Sequence, residues 1–201
     1  LIEAENPFSI LTKSTLILRD VDLLGAAARR GLVRVSLSIG TVDEDVWRAT
    51  EPGTPPPARR LRAVRQLNEA GIPTGVLIAP ILPGVSDSPE QLAAVARAVV
   101  DAGAVSIGHA VLHLRTPETR QVYLERLAAT HPDAALATDL RYRVANAPKA
   151  DRDRITADLR AALEASGGQL GGLPAEPEAA TAVTVSRRTD PEPSSQLSLA
   201  L

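Results

Sequence analysis

The chain has 201 residues, of which 44% are hydrophobic, and its formal net charge is -2. This composition predicts a soluble domain followed by a tail, and without a secretory leader or an apolar run of roughly 18 residues we expect a cytoplasmic protein with no membrane span. The sequence contains no cysteine, which excludes disulfides, a cysteine nucleophile and thiolate-ligated metals or clusters within this chain.

The first part of the chain predicts two strands separated by a helix. Phe8–Thr12 is a short strand, and the helix after it begins near Asp20 and ends at Gly31, a residue typical of helix C-termini. In the second strand, Val33–Ile39, aliphatic residues alternate with polar ones such as Ser36. This alternation predicts one face against the core and one face toward water or a ligand.

The central strand is predicted within Ile72–Gly84, IPTGVLIAPILPG, the most apolar stretch of the sequence. Such a run is typical of a strand buried on both faces of a parallel sheet. We expect it to end at Pro80, which has no N–H to donate to a neighbouring strand. An amphipathic helix at Ala58–Ala70 precedes it, and another helix begins after a capping serine, Ser88.

A fourth strand, Val105–Leu114, precedes a helical region. Strands alternating with helices predict parallel βα units, and four strands are too few to close a barrel. The expected fold is therefore α/β, either an open sheet or part of a larger barrel. Its predicted organisation is a barrel part at 1–115, a C-terminal helical extension at 116–166 and a disordered tail at 167–201, which is rich in Pro, Glu, Ser and Thr.

The chain resembles the C-terminal two-thirds of a radical-SAM protein of the spore-photoproduct-lyase-like branch, often labelled DNA repair photolyase. The matching blocks are LTKSTLILRDVDLL at 11–24, VRVSLSIGTVDEDVWRATEP at 33–52, RRLRAVRQLNEAGIPTGVLIAPILPGVSD at 59–87, VLHLR at 111–115 and YRVANAPKADRDRI at 142–155. The resemblance implies part of a (β/α)6 barrel and an enzyme that cleaves S-adenosylmethionine (SAM) with a [4Fe-4S] cluster. The label of the branch implies action in nucleic-acid repair or modification.

The sequence departs from this family at the cluster site. Family members hold the cluster with a CxxxCxxC loop after their first strand, and this chain has no cysteine. The resemblance therefore implies that the cluster ligands lie upstream of Leu1. On this interpretation the parent protein is an enzyme, and the chain as given is inactive alone.

The resemblance also implies which residues contact SAM. Polar groups after the first strand would lie near its methionyl part, where Lys13 would meet the carboxylate as a point charge. Serines of the second strand would face the ribose, and the apolar end of the central strand would pack on the adenine. The predicted site residues are Thr12, Lys13, Ser14, Ser36, Ser38, Ala79, Pro80, Ile81, Leu82, His109 and Arg115, with no metal ligand. Each of these residues also has an interpretation without a ligand. Lys13 would then be a solvated lysine in a turn, and the apolar residues at 79–82 would be ordinary core.

Two clusters of side chains admit other interpretations. His109 and His113 would share a strand face as metal ligands, as a proton shuttle or as polar residues lining the barrel, but no third ligand stands at a recognisable spacing. Arg59, Arg60 and the arginines at 62 and 65 form a basic helix face that would suit nucleic acid. Aromatic residues make up only 2% of the chain, so no stacking platform for bases is predicted.

Two other functions compete with the radical-SAM interpretation. A different α/β enzyme, such as a barrel aldolase, needs a Schiff-base lysine, for which Lys13 and Lys149 are the candidates, and a phosphate binder needs a glycine-rich loop that is absent. A non-catalytic α/β binding or scaffold module needs neither. That module would have kept the barrel half and lost the cluster.

Overall fold

Four parallel strands form the centre of the protein. In the computed structural model, which describes residues 1–142 and 144–171, they lie side by side in chain order. The strands are β1 (Phe8–Thr12), β2 (Val33–Ser38), β3 (Thr74–Ile81) and β4 (Ile107–Val111). Helical segments connect each strand to the next, as parallel neighbours require. The predicted α/β class is confirmed, and the sheet is consistent with part of a (β/α)6 barrel.

Seven α-helices and one short 3-10 helix, Thr15–Asp20, occur within the described residues. The α-helices are α1 (Val21–Ala28), α2 (Glu44–Thr50), α3 (Pro57–Glu69), α4 (Pro89–Asp101), α5 (Pro117–Ala128), α6 (Pro132–Arg141) and α7 (Lys149–Ala165). Ser88 caps α4 as predicted, since its hydroxyl accepts a hydrogen bond from the Gln91 N–H. None of these helices is long and apolar enough to cross a bilayer.

One face of the sheet carries the hydrophobic core. Leu37 of β2 is fully buried there with Val64 and Leu67 of α3, and α1, α4 and α7 contribute to the same cluster. The opposite face is more open. Leu11 of β1, which pairs with Ser36 of β2 on that face, is 59% exposed. The alternation in β2 therefore predicted its two faces correctly.

The strand ends differ from the sequence prediction. β3 does not stop at Pro80 but continues to Ile81, across a cis Ala79–Pro80 peptide bond and a shift of register against β4. A proline is tolerated there because an irregular pairing does not require its missing N–H. β4 is shorter than predicted and ends at Val111, so His113 lies beyond it.

The last helix belongs to the same core as the sheet. α7 packs on α4 and buries Ile155, Leu159 and Leu163. After α7 the chain returns to the edge of β4, where Gly171 and Ile107 exchange two backbone hydrogen bonds of 2.9 and 3.0 Å. Residues 167–171, which the sequence assigned to a disordered tail, thus lie against the sheet, and the rest of that predicted tail lies outside the described residues.

Candidate functional site

The C-terminal ends of β1, β2 and β3 meet around a hollow of about 120 Å³. This edge is where open and barrel α/β folds place their ligands. Residues at or after the ends of all four strands line the hollow, together with α5, and they include Lys13, Gly40, Glu51, Pro80, Leu82, Leu112 and Tyr123. Whole small-molecule sites commonly span about 300–1,000 Å³. The hollow therefore accepts only part of a cofactor-sized ligand, and the remainder would extend along the open sheet face.

Three charged side chains form a network at this hollow. Lys13 Nζ lies 2.5 Å from Glu51 Oε1, and Arg60 Nη2 lies 2.6 Å from Glu51 Oε2. The side chains become progressively less exposed, from 35% for Lys13 to 13% for Glu51 and 1% for Arg60. The carboxylate is thus held between a buried cation and a partly exposed one. Sequence reasoning assigned Glu51 only a role at the start of the next helix and did not detect this network.

Arg60 anchors the network to the backbone. Its guanidinium donates to the carbonyl oxygens of Ser38 and Pro55, each at 2.7 Å, and to Thr54 Oγ1 at 2.9 Å. The prediction that Arg60 belongs to an exposed basic face was wrong. The signal that identifies it is helical periodicity, because Arg60 stands four and seven residues before Val64 and Leu67, on the buried stripe of α3.

The predicted residues at the end of β1 and in β2 have different local roles. Thr12 Oγ1 accepts the Ser14 N–H at 2.9 Å, and Ser14 Oγ accepts the Leu16 N–H at 3.2 Å, so both hydroxyls hold the turn that follows β1. Ser38 is buried and donates to the Ala79 carbonyl at 2.7 Å, which joins the ends of β2 and β3. Ser36 lies half-buried on the open face of the sheet.

The predicted residues at the end of β3 divide between the core and the hollow. Ile81 is fully buried in the hydrophobic core, and Ala79 is 8% exposed beside Ser38. Pro80 and Leu82 line the hollow with Lys13. The structure thus brings Lys13, Pro80 and Leu82 together, as the parallel strand ends predicted. Whether these residues bind SAM remains a prediction.

Two predicted residues lie apart from the hollow. His109 pairs in register with the core residue Ile78, so it points to the helix-covered face rather than into the barrel, and the expectation that it lines the barrel was wrong. Its Nε2 lies 2.9 Å from Thr156 Oγ1 of α7.

Arg115 is exposed and borders a separate cleft of about 510 Å³ beside α5 that also contains Arg120. His113, predicted on the same strand face as His109, instead contacts Asn146.

The position of His109 predicts a pH-dependent stability. Burial, followed by the charge of Arg160, lowers the pKa of His109 from 6.5. The unfolded chain therefore takes up a proton at His109 more readily than the folded chain, and stability is lost as the pH falls below about 6.5. We expect His109→Gln, which keeps a partner for Thr156, to reduce the loss of stability between about pH 7 and pH 5.

Urea unfolding across this pH range measures the effect. Backbone and then side-chain hydrogen bonds lower the pKa of Glu90 and Glu118 below 4.5, so these carboxyls titrate outside the window. His131→Gln is the matched control, because His131 contacts Thr130 beside it and not α7. Equal pH dependence in the His109→Gln variant and the parent chain would contradict the assignment.

The N-terminal part of the chain, which supplies most of the hollow, matches a known protein family. Residues 1–96 match the family model of the Radical SAM superfamily. The radical SAM match runs from the start of the chain through β1, β2 and β3 into α4, and so it contains the ends of these three strands at the hollow, whereas Leu112, which follows β4 and also lines the hollow, lies beyond it. α5, α6 and α7 lie beyond the matched residues.

Curated proteins similar to this chain include three that are named only as uncharacterised proteins. A protein of Mycobacterium tuberculosis is 39% identical over 127 residues, which are 63% of this chain and 37% of that protein. A protein of Acidianus two-tailed virus is 34% identical over 111 residues, 54% of this chain and 36% of its own length. A protein of Methanocaldococcus jannaschii is 35% identical over 86 residues, 43% of this chain and 32% of its own length. The chain thus spans about a third of these relatives, and no solved structure matches it.

The radical SAM match implies two cofactors, and the chain fits them differently. A [4Fe-4S] cluster is held by cysteine thiolates, and this sequence has none, so the residues present do not fit the cluster. SAM carries an adenosyl group and a charged amino-acid end. The hollow offers an ion pair, Lys13 and Glu51, beside the apolar wall of Pro80 and Leu82, and this set of groups fits one end of such a ligand.

Proposed function

We propose that this chain forms the SAM-binding part of a radical SAM enzyme whose cluster ligands lie in residues outside it. The observation that carries the proposal is the radical SAM match over residues 1–96, because the ends of β1, β2 and β3, which converge on the charged hollow, belong to that segment. We also propose that the complete enzyme cleaves SAM. This chain spans about a third of the length of its curated relatives, so the activity is that of the longer protein.

The charged network defines what the residues of this chain would do. Lys13 is the part of the network with the most access to solvent, and it would donate to the carboxylate of SAM. Arg60 would keep Glu51 in place while Lys13 engages the ligand, because Arg60 is fixed by four hydrogen bonds. Ser36 and the wall formed by Pro80 would lie along the adenosyl part.

Lys13→Ala is expected to weaken SAM binding by about tenfold or more, because a charge-assisted hydrogen bond to a carboxylate is lost. Calorimetric titration of the chain with SAM measures the dissociation constant directly. Lys149→Ala is the matched control, since Lys149 is the other lysine of the sequence and pairs with Asp153 on the surface of α7. Equal affinity in the two variants would contradict the assignment of Lys13, and no binding by the unmodified chain would contradict the proposed function.

We further propose that the complete enzyme belongs to the spore-photoproduct-lyase-like branch and repairs or modifies nucleic acid. This proposal is supported by the sequence blocks described above and by the exposed arginines Arg59, Arg62 and Arg65 on α3. Arg60 is removed from that face by its burial, which leaves a smaller basic surface than the sequence indicated. Fluorescence anisotropy with a labelled DNA oligonucleotide tests it, and binding unaffected by Arg59→Gln and Arg62→Gln would contradict a role for this face.

A non-catalytic SAM-binding module is the second candidate function. The lack of cysteine favours it, because a module that never reacts needs no cluster. Sequencing the coding region upstream of Leu1 distinguishes the two candidates. A CxxxCxxC motif in that reading frame supports the enzyme, whereas an upstream frame without cysteines supports the module.

A further inference from the structure

The loop after β3 carries two residues of the candidate site. This loop, residues 82–87, leads from β3 to the residue that caps α4, and its members Leu82 and Ser86 line the hollow. Both residues are buried, each with 3% of its surface exposed. The conformation of the loop therefore sets the shape of one wall of the hollow.

Side chains of the loop hold its turn from within. Ser86 Oγ accepts the Leu82 N–H at 2.9 Å, and Asp87 Oδ1 accepts the Gly84 N–H at 2.6 Å. Gly84 has a φ of +78°, which glycine adopts without steric cost. One oxygen of the Asp87 carboxylate is thus used inside the loop, which leaves the other oxygen for a partner outside it.

Arg154 of α7 is that partner. Its Nη2 forms an ion pair with Asp87 Oδ2, and its Nη1 donates to the Asp87 carbonyl oxygen at 3.4 Å. The Asp87 side chain is only 9% exposed, so without this cation its charge would have little access to water. The next residue of the helix, Ile155, is fully buried in the core, and α7 packs on α4. The ion pair therefore ties the loop to a helix that is itself fixed.

We propose that Arg154 is a positioning residue for the ligand of the hollow, and that it acts through Asp87 by holding the loop at 82–87 in the conformation that binds the ligand. The inference rests on the proposed function and extends it, because α7 lies beyond the radical SAM match and none of its residues lines the hollow. A loop that is fixed before the ligand arrives loses less conformational freedom on binding, which raises affinity.

Calorimetric titration with SAM, well below the melting temperature, is the first measurement. Arg154→Gln is expected to raise the dissociation constant by about three- to tenfold, because the Asp87 carboxylate loses its cation and the loop loses its tie to α7. Arg154→Lys is expected to recover part of the affinity, since it keeps the charge but lacks the planar fork that reaches two acceptors. Arg152→Gln is the matched control, because Arg152 is an exposed arginine of the same helix, and its affinity is expected to equal that of the parent chain.

Hydrogen exchange of the chain without ligand is the second measurement, and it does not depend on SAM. The Gly84 and Leu82 amides donate within the loop, and in Arg154→Gln they are expected to exchange about tenfold faster than in the parent chain. The Val76 amide of β3, which donates to the Ser106 carbonyl at 2.8 Å, is the internal reference for the stability of the whole sheet. Its exchange is expected to change much less.

The outcomes separate this inference from the function on which it rests. SAM affinity that is normal in Arg154→Gln but weakened in Lys13→Ala overturns the role of Arg154 alone. Exchange at Gly84 that is unchanged in Arg154→Gln, or that rises no more than exchange at Val76, shows that Arg154 does not hold the loop, and it also overturns the inference. Absence of SAM binding by the unmodified chain overturns the proposed function and the inference together.

Discussion

Replacement of Arg60 by methionine is expected to lower the free energy of unfolding by about 3–5 kcal/mol, because it removes one partner of a buried ion pair. Arg60 is 1% exposed, and its partner Glu51 is only 13% exposed. The variant leaves the carboxylate of Glu51 with Lys13 as its remaining cation. It also removes the donor that Arg60 supplies to the carbonyl oxygens of Ser38 and Pro55.

Urea denaturation of two arginine variants provides the measurement. Arg59→Met is the matched control, because Arg59 precedes Arg60 on α3 and is exposed, and a change of less than about 0.5 kcal/mol is expected there. Arg60→Lys is expected to fall between the two, since it keeps the charge but cannot direct a planar fork at several acceptors. An Arg60→Met variant within 1 kcal/mol of the parent chain would show that the network contributes little.

The order and type of the elements were predictable from local signals. Apolar periodicity and capping residues such as Ser88 are properties of short segments. The elements that they predict, such as α4 after Ser88, are present in the structure. The meeting of Lys13 and Pro80 was predictable as well, because parallel strands place their C-terminal ends at one edge of a sheet. The end of β3 was not predictable, since the irregular register that accommodates Pro80 depends on pairing with β4.

The remaining errors concern contacts between distant segments. Alternation along β4 separates the two faces of the strand but does not tell which face α7 will cover, and so His109 was assigned to the wrong side. Charge suggested that Arg60 is solvated, whereas its partners come from the end of β2 and the loop before α3. The position of Tyr123 at the hollow could not be predicted, because nothing in the sequence of α5 indicates that this helix covers the strand ends.

Gly40 shows how little space separates β2 from β3 at the candidate site. It follows β2 and lines the hollow. A β-carbon at this position would lie 2.6 Å from the Pro80 carbonyl oxygen and 3.1 Å from the Ala79 carbonyl carbon. Both atoms belong to the backbone of β3 and cannot move aside as a flexible side chain would. Glycine is needed here for the close approach of two strand ends.

Gly40→Ala is therefore expected to lower the free energy of unfolding by about 1–3 kcal/mol and to weaken SAM binding, because relief of the clash must displace the end of β3 from Lys13. Gly25→Ala is the matched control, since a β-carbon there would contact only Arg29 Nη1 at 3.7 Å within α1. That variant is expected to gain about 0.5–1 kcal/mol from the higher helix propensity of alanine. Urea unfolding and SAM titration of both variants separate the two effects. A Gly40→Ala chain that keeps its stability would show that β2 and β3 are not held together here, whereas a destabilised chain with unchanged SAM affinity would place the ligand away from this strand end.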